Sequence, residues 1–191
     1  MRNFKKLLGP ISIISLAYLM SRIFGFIREI LLARWTGVSS ATDTLDLAFV
    51  IPDFLFYLSA GGYLAITLIP ILSKFQKDKL FDLNNYFLSL LNGLTIIFAI
   101  FSIIFFIFRY EIGEVFGVID IELFVRVFTP IIFSQVFFFS GAVMMAYQYF
   151  MDEFKYAALA PVIYNLSIIF FGWINSSSPE STIYGLSLIH I

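Results

Sequence analysis

The sequence predicts an all-α membrane protein, a polytopic transmembrane helix bundle, and three observations predict it. The chain is 60% hydrophobic and 19% aromatic with only 13% charged residues, and its mean hydropathy of +0.93 is far above that of a soluble domain. Five separate stretches reach the roughly 20 mainly apolar residues that a bilayer-spanning helix needs. Lys and Arg gather in short clusters whose positions bear on topology, while a formal net charge of −1 gives no basic field for nucleic acid. Cysteine is absent, which excludes disulfides, thiolate zinc sites and Cys nucleophiles. The one histidine, His190, stands next to the last residue and is assigned no role.

The first spanning segment is expected from about Pro10 to Trp35, with proline suited to a first helical turn because its missing N–H would be unpaired there. Arg2, Lys5 and Lys6 before it imitate a secretory signal, but the run has no small-residue cleavage site and continues into charged residues, so a retained helix is expected. The second segment, about Thr42 to Leu72, opens in the N-capping run Ser39-Ser40-Ala41-Thr42-Asp43. Pro52, Gly61-Gly62 and Pro70 interrupt it; such breaks are tolerated in membrane helices whose neighbours satisfy the freed backbone. The third runs from about Tyr86 to Phe108, the fourth from Val127 to Met151 and the fifth from Tyr156 to Trp173. Residues 1–174 therefore form one helix bundle. The remainder, 175–191, reads as a polar loop and the start of a sixth helix, and Ser187 to Ile191 looks like adapter read-through, set aside from fold reasoning.

Loop charges orient the bundle. Arg2, Lys5 and Lys6 precede the first segment and Lys74, Lys77 and Lys79 follow the second, whereas Glu111, Glu114, Asp120 and Glu122 dominate the loop after the third. The positive-inside rule puts the amino terminus and the Lys74 to Lys79 stretch in the cytoplasm.

The functional signal is Ser21-Arg22-Ile23-Phe24-Gly25-Phe26-Ile27-Arg28-Glu29, which sets two guanidiniums and a carboxylate inside a spanning segment. At 1.5 Å per residue Arg22 lies about 18 Å along the helix and Arg28 about 27 Å. Charge at that depth costs a few kcal/mol and normally faces a bundle interior or a wet path. Helical spacing puts Ser21 with Arg28 and Arg22 with Glu29, and in the second segment Asp46 with Asp53, with Asp43 near both. Two readings fit these charges alone. In one, the arginines line a water-filled cavity and bind an anion, since a guanidinium fork matches phosphate or carboxylate. In the other they pair with Glu29, Asp43 or Asp46 to hold helices together, although buried pairs add little stability over apolar packing. Gly61, Gly62 and Pro52 are candidate hinges or close-packing points. Asn92, Gln135, Gln148 and Asn165 read first as interhelical hydrogen-bonding residues. The 25 phenylalanines are lipid-facing or packing groups. Neither a cofactor box nor a catalytic motif (Walker loop, GxSxG, HExxH) is found, so the chain is not expected to be an enzyme.

Ser21-Arg22-(x)2-Gly25-Phe26-x-Arg28-Glu29, Ala33-Arg34, Gly37, Ala41-Thr42-Asp43, Ala48-Phe49-x-Ile51-Pro52-Asp53 and Pro70-Ile71-Leu72 together resemble the amino-terminal region of the lipid II flippases of the MurJ/MviN family, within the multidrug/oligosaccharidyl-lipid/polysaccharide exporter superfamily. Phe128-Thr129-Pro130, Gly141-Ala142 and Ala160-Pro161-Val162-(x)2-Asn165-Leu166-Ser167 are similar to its fourth and fifth helices. The resemblance implies a bacterial inner-membrane transporter of two lobes, of which this chain is part of the first. Its cargo would be an undecaprenyl-pyrophosphate-linked oligosaccharide, lipid II, moved by alternating access and accompanied by membrane lipid and a coupling ion. Arg22 and Arg28 would receive the pyrophosphate, with Ser21 adding a hydrogen bond, and Asp43 would be a gating acid that pairs with an arginine. These residues alone are not expected to transport, because alternating access needs a second lobe to rock against. The chain departs from the family at Phe56-Tyr57, where a basic pair is usual, and at Gly61, where an acid is. The alternatives are a related polysaccharide-repeat-unit flippase or ion-coupled exporter, and a non-transporting scaffold for envelope assembly.

Overall fold

A computed structural model describes residues 2–59, 63–78 and 82–188, whose regular structure is all α-helix, with eight helices and no strand among the described residues. They are α1 (Arg2–Thr36), α2 (Ser40–Ser59), α3 (Tyr63–Asp78), α4 (Leu83–Ile107), α5 (Arg109–Val115), α6 (Ile121–Phe150), α7 (Phe154–Ile174) and α8 (Pro179–Leu188). Three of them, α4, α6 and α7, are long and apolar enough to cross a membrane. α1 and α2 are long enough but carry Arg22, Arg28, Glu29 and Arg34, or Asp43, Asp46 and Asp53.

Local chemistry sets the ends. Gly37 and Gly117 take φ of +62° and +65° after α1 and α5, the left-handed turn that glycine adopts without a Cβ penalty. Ser39 Oγ accepts from Thr42 N at 3.4 Å ahead of α2. Asp82 caps α4 by accepting from Asn84 N at 3.0 Å, and Asp120 caps α6 by accepting from Leu123 N at 2.9 Å. Asp152 takes φ +60° after α6, and Glu153 N closes the end on Gln148 O at 2.8 Å.

Several features differ from the sequence reading, the first being that α1 begins at Arg2, which puts Pro10 inside the helix and not in its first turn. The Lys74 to Lys79 stretch is helical as far as Asp78, because α3 continues past the apolar residues. The loop after the third segment contains the short helix α5, which packs Gly113 beneath Phe124 and Ile121. Ser187, set aside as read-through, is buried in α8 and donates to Tyr184 O at 2.7 Å.

α6 is the hub, 56% buried along its most apolar window against 11% for α4, and it touches α2, α3, α4, α5, α7 and α8. At its N-terminal end Phe124, Val127, Phe128, Ile131 and Ile132 are fully buried against Ala41 and Ala48 of α2 and Ile183 of α8. Phe98 of α4 stacks on Phe139 halfway along, and Val143 and Ala146 meet Leu68, Leu72 and Phe87 at the far end. Polar rungs tie α4 to α6: Ser102 Oγ donates to Ile132 O at 2.8 Å, and Thr95 and Ser140 share a hydrogen bond of 2.8 Å. The outward face of α4, with Ile96, Ile100, Ile103 and Ile107, is exposed.

Candidate functional site

α1 packs chiefly on α7, while α2 packs on α6. These two consecutive helices therefore lean on different partners, and a cavity of about 580 Å³ opens between them. Arg28, Glu29 and Leu32 of α1, Leu45, Asp46, Phe49 and Asp53 of α2, Tyr164 and Ile168 of α7 and Leu186 of α8 line it.

Arg28 is fixed by what surrounds it. Its Nη1 donates to Asn165 Oδ1 at 3.0 Å, and its Nε donates to Glu29 Oε1 at 3.1 Å, with Nη2 closing on the same oxygen. Asn165, buried in α7, returns hydrogen bonds from Nδ2 to Ser21 O at 3.2 Å, to Ser21 Oγ at 3.3 Å and to Pro161 O at 2.9 Å. Ser21, Gly25 and Arg28 share one face of α1 because i, i+4 and i+7 superpose at 3.6 residues per turn. Gly25 lies on that face too, and an added Cβ would stand at an ordinary contact distance of 3.8 Å from the Asn165 amide. Two turns beyond Arg28, Trp35 rests on Gly172 of α7, where an added Cβ would stand 2.6 Å from the indole. The clasp thus uses three of the guanidinium's five donors and leaves two for a ligand.

The other predicted residues fall as follows. Arg22 is exposed, does not line the cavity, and makes no ion pair or hydrogen bond with a described residue. Asp43 is exposed in the first turn of α2, where a carboxylate suits the helix dipole, and pairs with no arginine among the described residues. Asp46 and Asp53, seven apart, both face the cavity, and Asp46 is within electrostatic reach of Asp43 and Glu29. Pro52 is buried inside an uninterrupted α2. Gly61 and Gly62 lie outside the described residues.

The structure therefore brings Ser21, Arg28, Glu29, Asp46 and Asp53 to one place and leaves Arg22 and Asp43 on the outside. One guanidinium faces three carboxylates there, a wall that is acidic overall. Of the residues read as interhelical hydrogen-bonding groups, Asn165 bridges two helices. Gln135 Nε2 instead reaches Ile131 O of its own helix at 3.4 Å, and Asn92 is exposed. Tyr164, a cavity residue, was not foreseen; its one signal was a place one residue before Asn165, on the same helix.

Compared with known proteins, residues 32–190 match the family model described as lipid II flippase MurJ. Among curated relatives, a probable lipid II flippase MurJ of Buchnera aphidicola subsp. Baizongia pistaciae is 31% identical over 169 residues, covering 83% of this chain and 32% of the relative. One from Buchnera aphidicola subsp. Acyrthosiphon pisum is 28% identical over 182 residues, covering 90% of the chain and 35% of the relative. The lipid II flippase MurJ of Thermosipho africanus is 27% identical over 159 residues, covering 81% and 33%. The chain thus spans about one third of the length of the curated relatives it matches. No solved structure matches it with significance.

Proposed function

The chain belongs to the lipid II flippase MurJ family, and from that premise we propose that it is part of a transporter, not an enzyme, which carries lipid II across the bacterial inner membrane by alternating access. α1, the α2–α3 pair, α4, α6 and α7 form five crossings of the first of two lobes, with the amino terminus in the cytoplasm, and residues 1–174 act as one bundle. Arg28 contacts the pyrophosphate, Ser21 holds the helix face that presents it, and Arg22 adds charge once the second lobe encloses its side of α1. Glu29, Asp46 and Asp53 oppose an anion in the present arrangement, so loading exchanges the Glu29 carboxylate for phosphate oxygens. Asp43 and Pro52, with Gly61 and Gly62, belong to the gate and its hinge.

The observation that carries this reading is the family match, joined at the site by Arg28, the one guanidinium on the cavity wall with two donors free. The test is lipid II binding to the chain in nanodiscs. Arg28→Gln is expected to weaken it about tenfold, the value of one charge-assisted hydrogen bond, and an uncharged polyprenol is expected not to bind. Unchanged binding in Arg28→Gln would remove the residue from the site. The three carboxylates favour a second reading, an ion-coupled exporter in which the cavity holds a cation; it predicts that Asp46→Asn and Asp53→Asn abolish ligand binding while Arg28→Gln does not. A scaffold predicts that neither set matters.

A further inference from the structure

A second cavity, of about 470 Å³, lies at the end of the bundle where α4 finishes and α6 begins. It is lined by Phe106, Arg109, Val125, Arg126, Thr129, Pro130, Phe133 and Tyr184. Two guanidiniums meet here without a carboxylate partner among the described residues, although Asp120, Glu122 and Glu180 line an adjoining cavity that Arg126 also borders. Aromatic faces hold them instead. Arg109 Cζ sits 4.2 Å from the Phe106 ring centroid and 5.0 Å from that of Tyr110, and its Nη1 donates to Phe106 O at 2.7 Å. Arg126 Cζ sits 4.2 Å from the Tyr184 centroid. All five Arg126 donors lack a protein acceptor among the described residues, and one of the five on Arg109 is used.

We propose that this cleft binds the phosphate diester of an anionic membrane phospholipid. Three features select that ligand. Two forked cations over aromatic rings are preorganised for an oxyanion. Arg109 stands two residues beyond the last residue of α4, at the level where a spanning helix meets the headgroups. The wall below is apolar, with Phe133 packed on Phe106 at 5.4 Å and Ile103, Ile104 and Ile107 exposed on α4 to receive an acyl chain. The neighbouring carboxylates work against a free phosphate, which has no apolar tail to offset their repulsion. The site is independent of the Arg28 cavity and of the cargo assignment, because it uses none of the same residues.

The experiment is retention of phosphatidylglycerol against phosphatidylethanolamine with identical tails by the purified 191-residue chain, read by native mass spectrometry. The wild type is expected to favour phosphatidylglycerol, and each Arg→Gln change at 109 or 126 should lower that preference about fivefold, the value of one basic residue at an anionic surface. Arg109→Lys with Arg126→Lys should keep part of it. Equal retention of the two lipids by the wild type, or an unchanged preference in the double Gln variant, would overturn the proposal. Displacement of phosphatidylglycerol by equimolar inorganic phosphate would overturn the lipid assignment in favour of a free phosphate ligand. Should the double variant lose its helical circular dichroism, Arg126→Gln alone decides. That side chain is exposed and its removal strands no buried group, so an unaltered preference there refutes the site.

Discussion

Replacing Asn165 by Ala should loosen α1 from α7 by about 2 kcal/mol, and the figure can be built from the clasp. Two interhelical links are lost, the one from Arg28 Nη1 and the shared one to Ser21 O and Oγ. Interhelical hydrogen bonds in membrane proteins average about 0.6 kcal/mol and reach about 1.7, whereas a bond to a charged group is worth about 1.5–3 kcal/mol in general. The Arg28 side chain is 25% exposed and keeps Glu29, so its loss falls at the lower end of that range. About 1.5 kcal/mol for the Arg28 bond and about 0.6 kcal/mol for the Ser21 link give about 2 kcal/mol, and the volume vacated by a buried amide adds slightly to it. The link to Pro161 O lies within α7 and does not count toward helix association. Trp35, seated on Gly172 of α7, reports the separation by fluorescence in a Trp173→Phe background, with unfolding titrated by SDS in mixed micelles. Arg28→Gln in a double-mutant cycle with Asn165→Ala should give a coupling near 1 kcal/mol. A loss below about 0.5 kcal/mol, or additive single effects, would refute the view that Asn165 positions Arg28.

Two glycines on the same interface should respond in opposite ways: Gly172→Ala drives a Cβ to 2.6 Å from Trp35 and should cost about 1–3 kcal/mol, whereas Gly25→Ala, 3.8 Å from its nearest neighbour, should be almost silent; the same titration checks both. Phe128→Ala empties a fully buried position in the α2–α6–α8 core and should destabilise by about 3 kcal/mol or more, seen as a lower midpoint of thermal unfolding in detergent. Glu29→Gln frees the two Arg28 nitrogens that now face it. It should strengthen lipid II binding up to about fivefold, since exposed pairs are worth about 0–1 kcal/mol; weaker binding would mean that the carboxylate presents Arg28 instead of competing for it.

Much of this molecule is local chemistry and can be read without coordinates. Hydropathy marks the apolar runs of α4, α6 and α7, aspartate caps α4 and α6, serine precedes α2, glycine ends α1 and α5, and a seven-residue spacing puts Asp46 with Asp53 and Ser21 with Arg28, because helical periodicity is a property of a few consecutive turns. Boundaries were less legible where polar residues stay helical, as at Lys74 to Asp78 and in α5, since tertiary packing, of Phe75 on Tyr86 of α4 and of Gly113 beneath Phe124 of α6, accompanies turns that composition would give to loops. Partner choice was not legible at all. A polar face predicts that it will be covered but not by which helix. That α1 turns to α7 and not to α2 depends on groups far apart in the chain, Trp35 fitting against Gly172 and Asn165 bonding Arg28 and Ser21. Ser21, Arg28, Arg22 and Asp43 look alike from the sequence as charged or polar residues within apolar segments. Only the tertiary structure separates a guanidinium held at a cavity wall from one left facing outward, because that division is made by a contact 137 residues away.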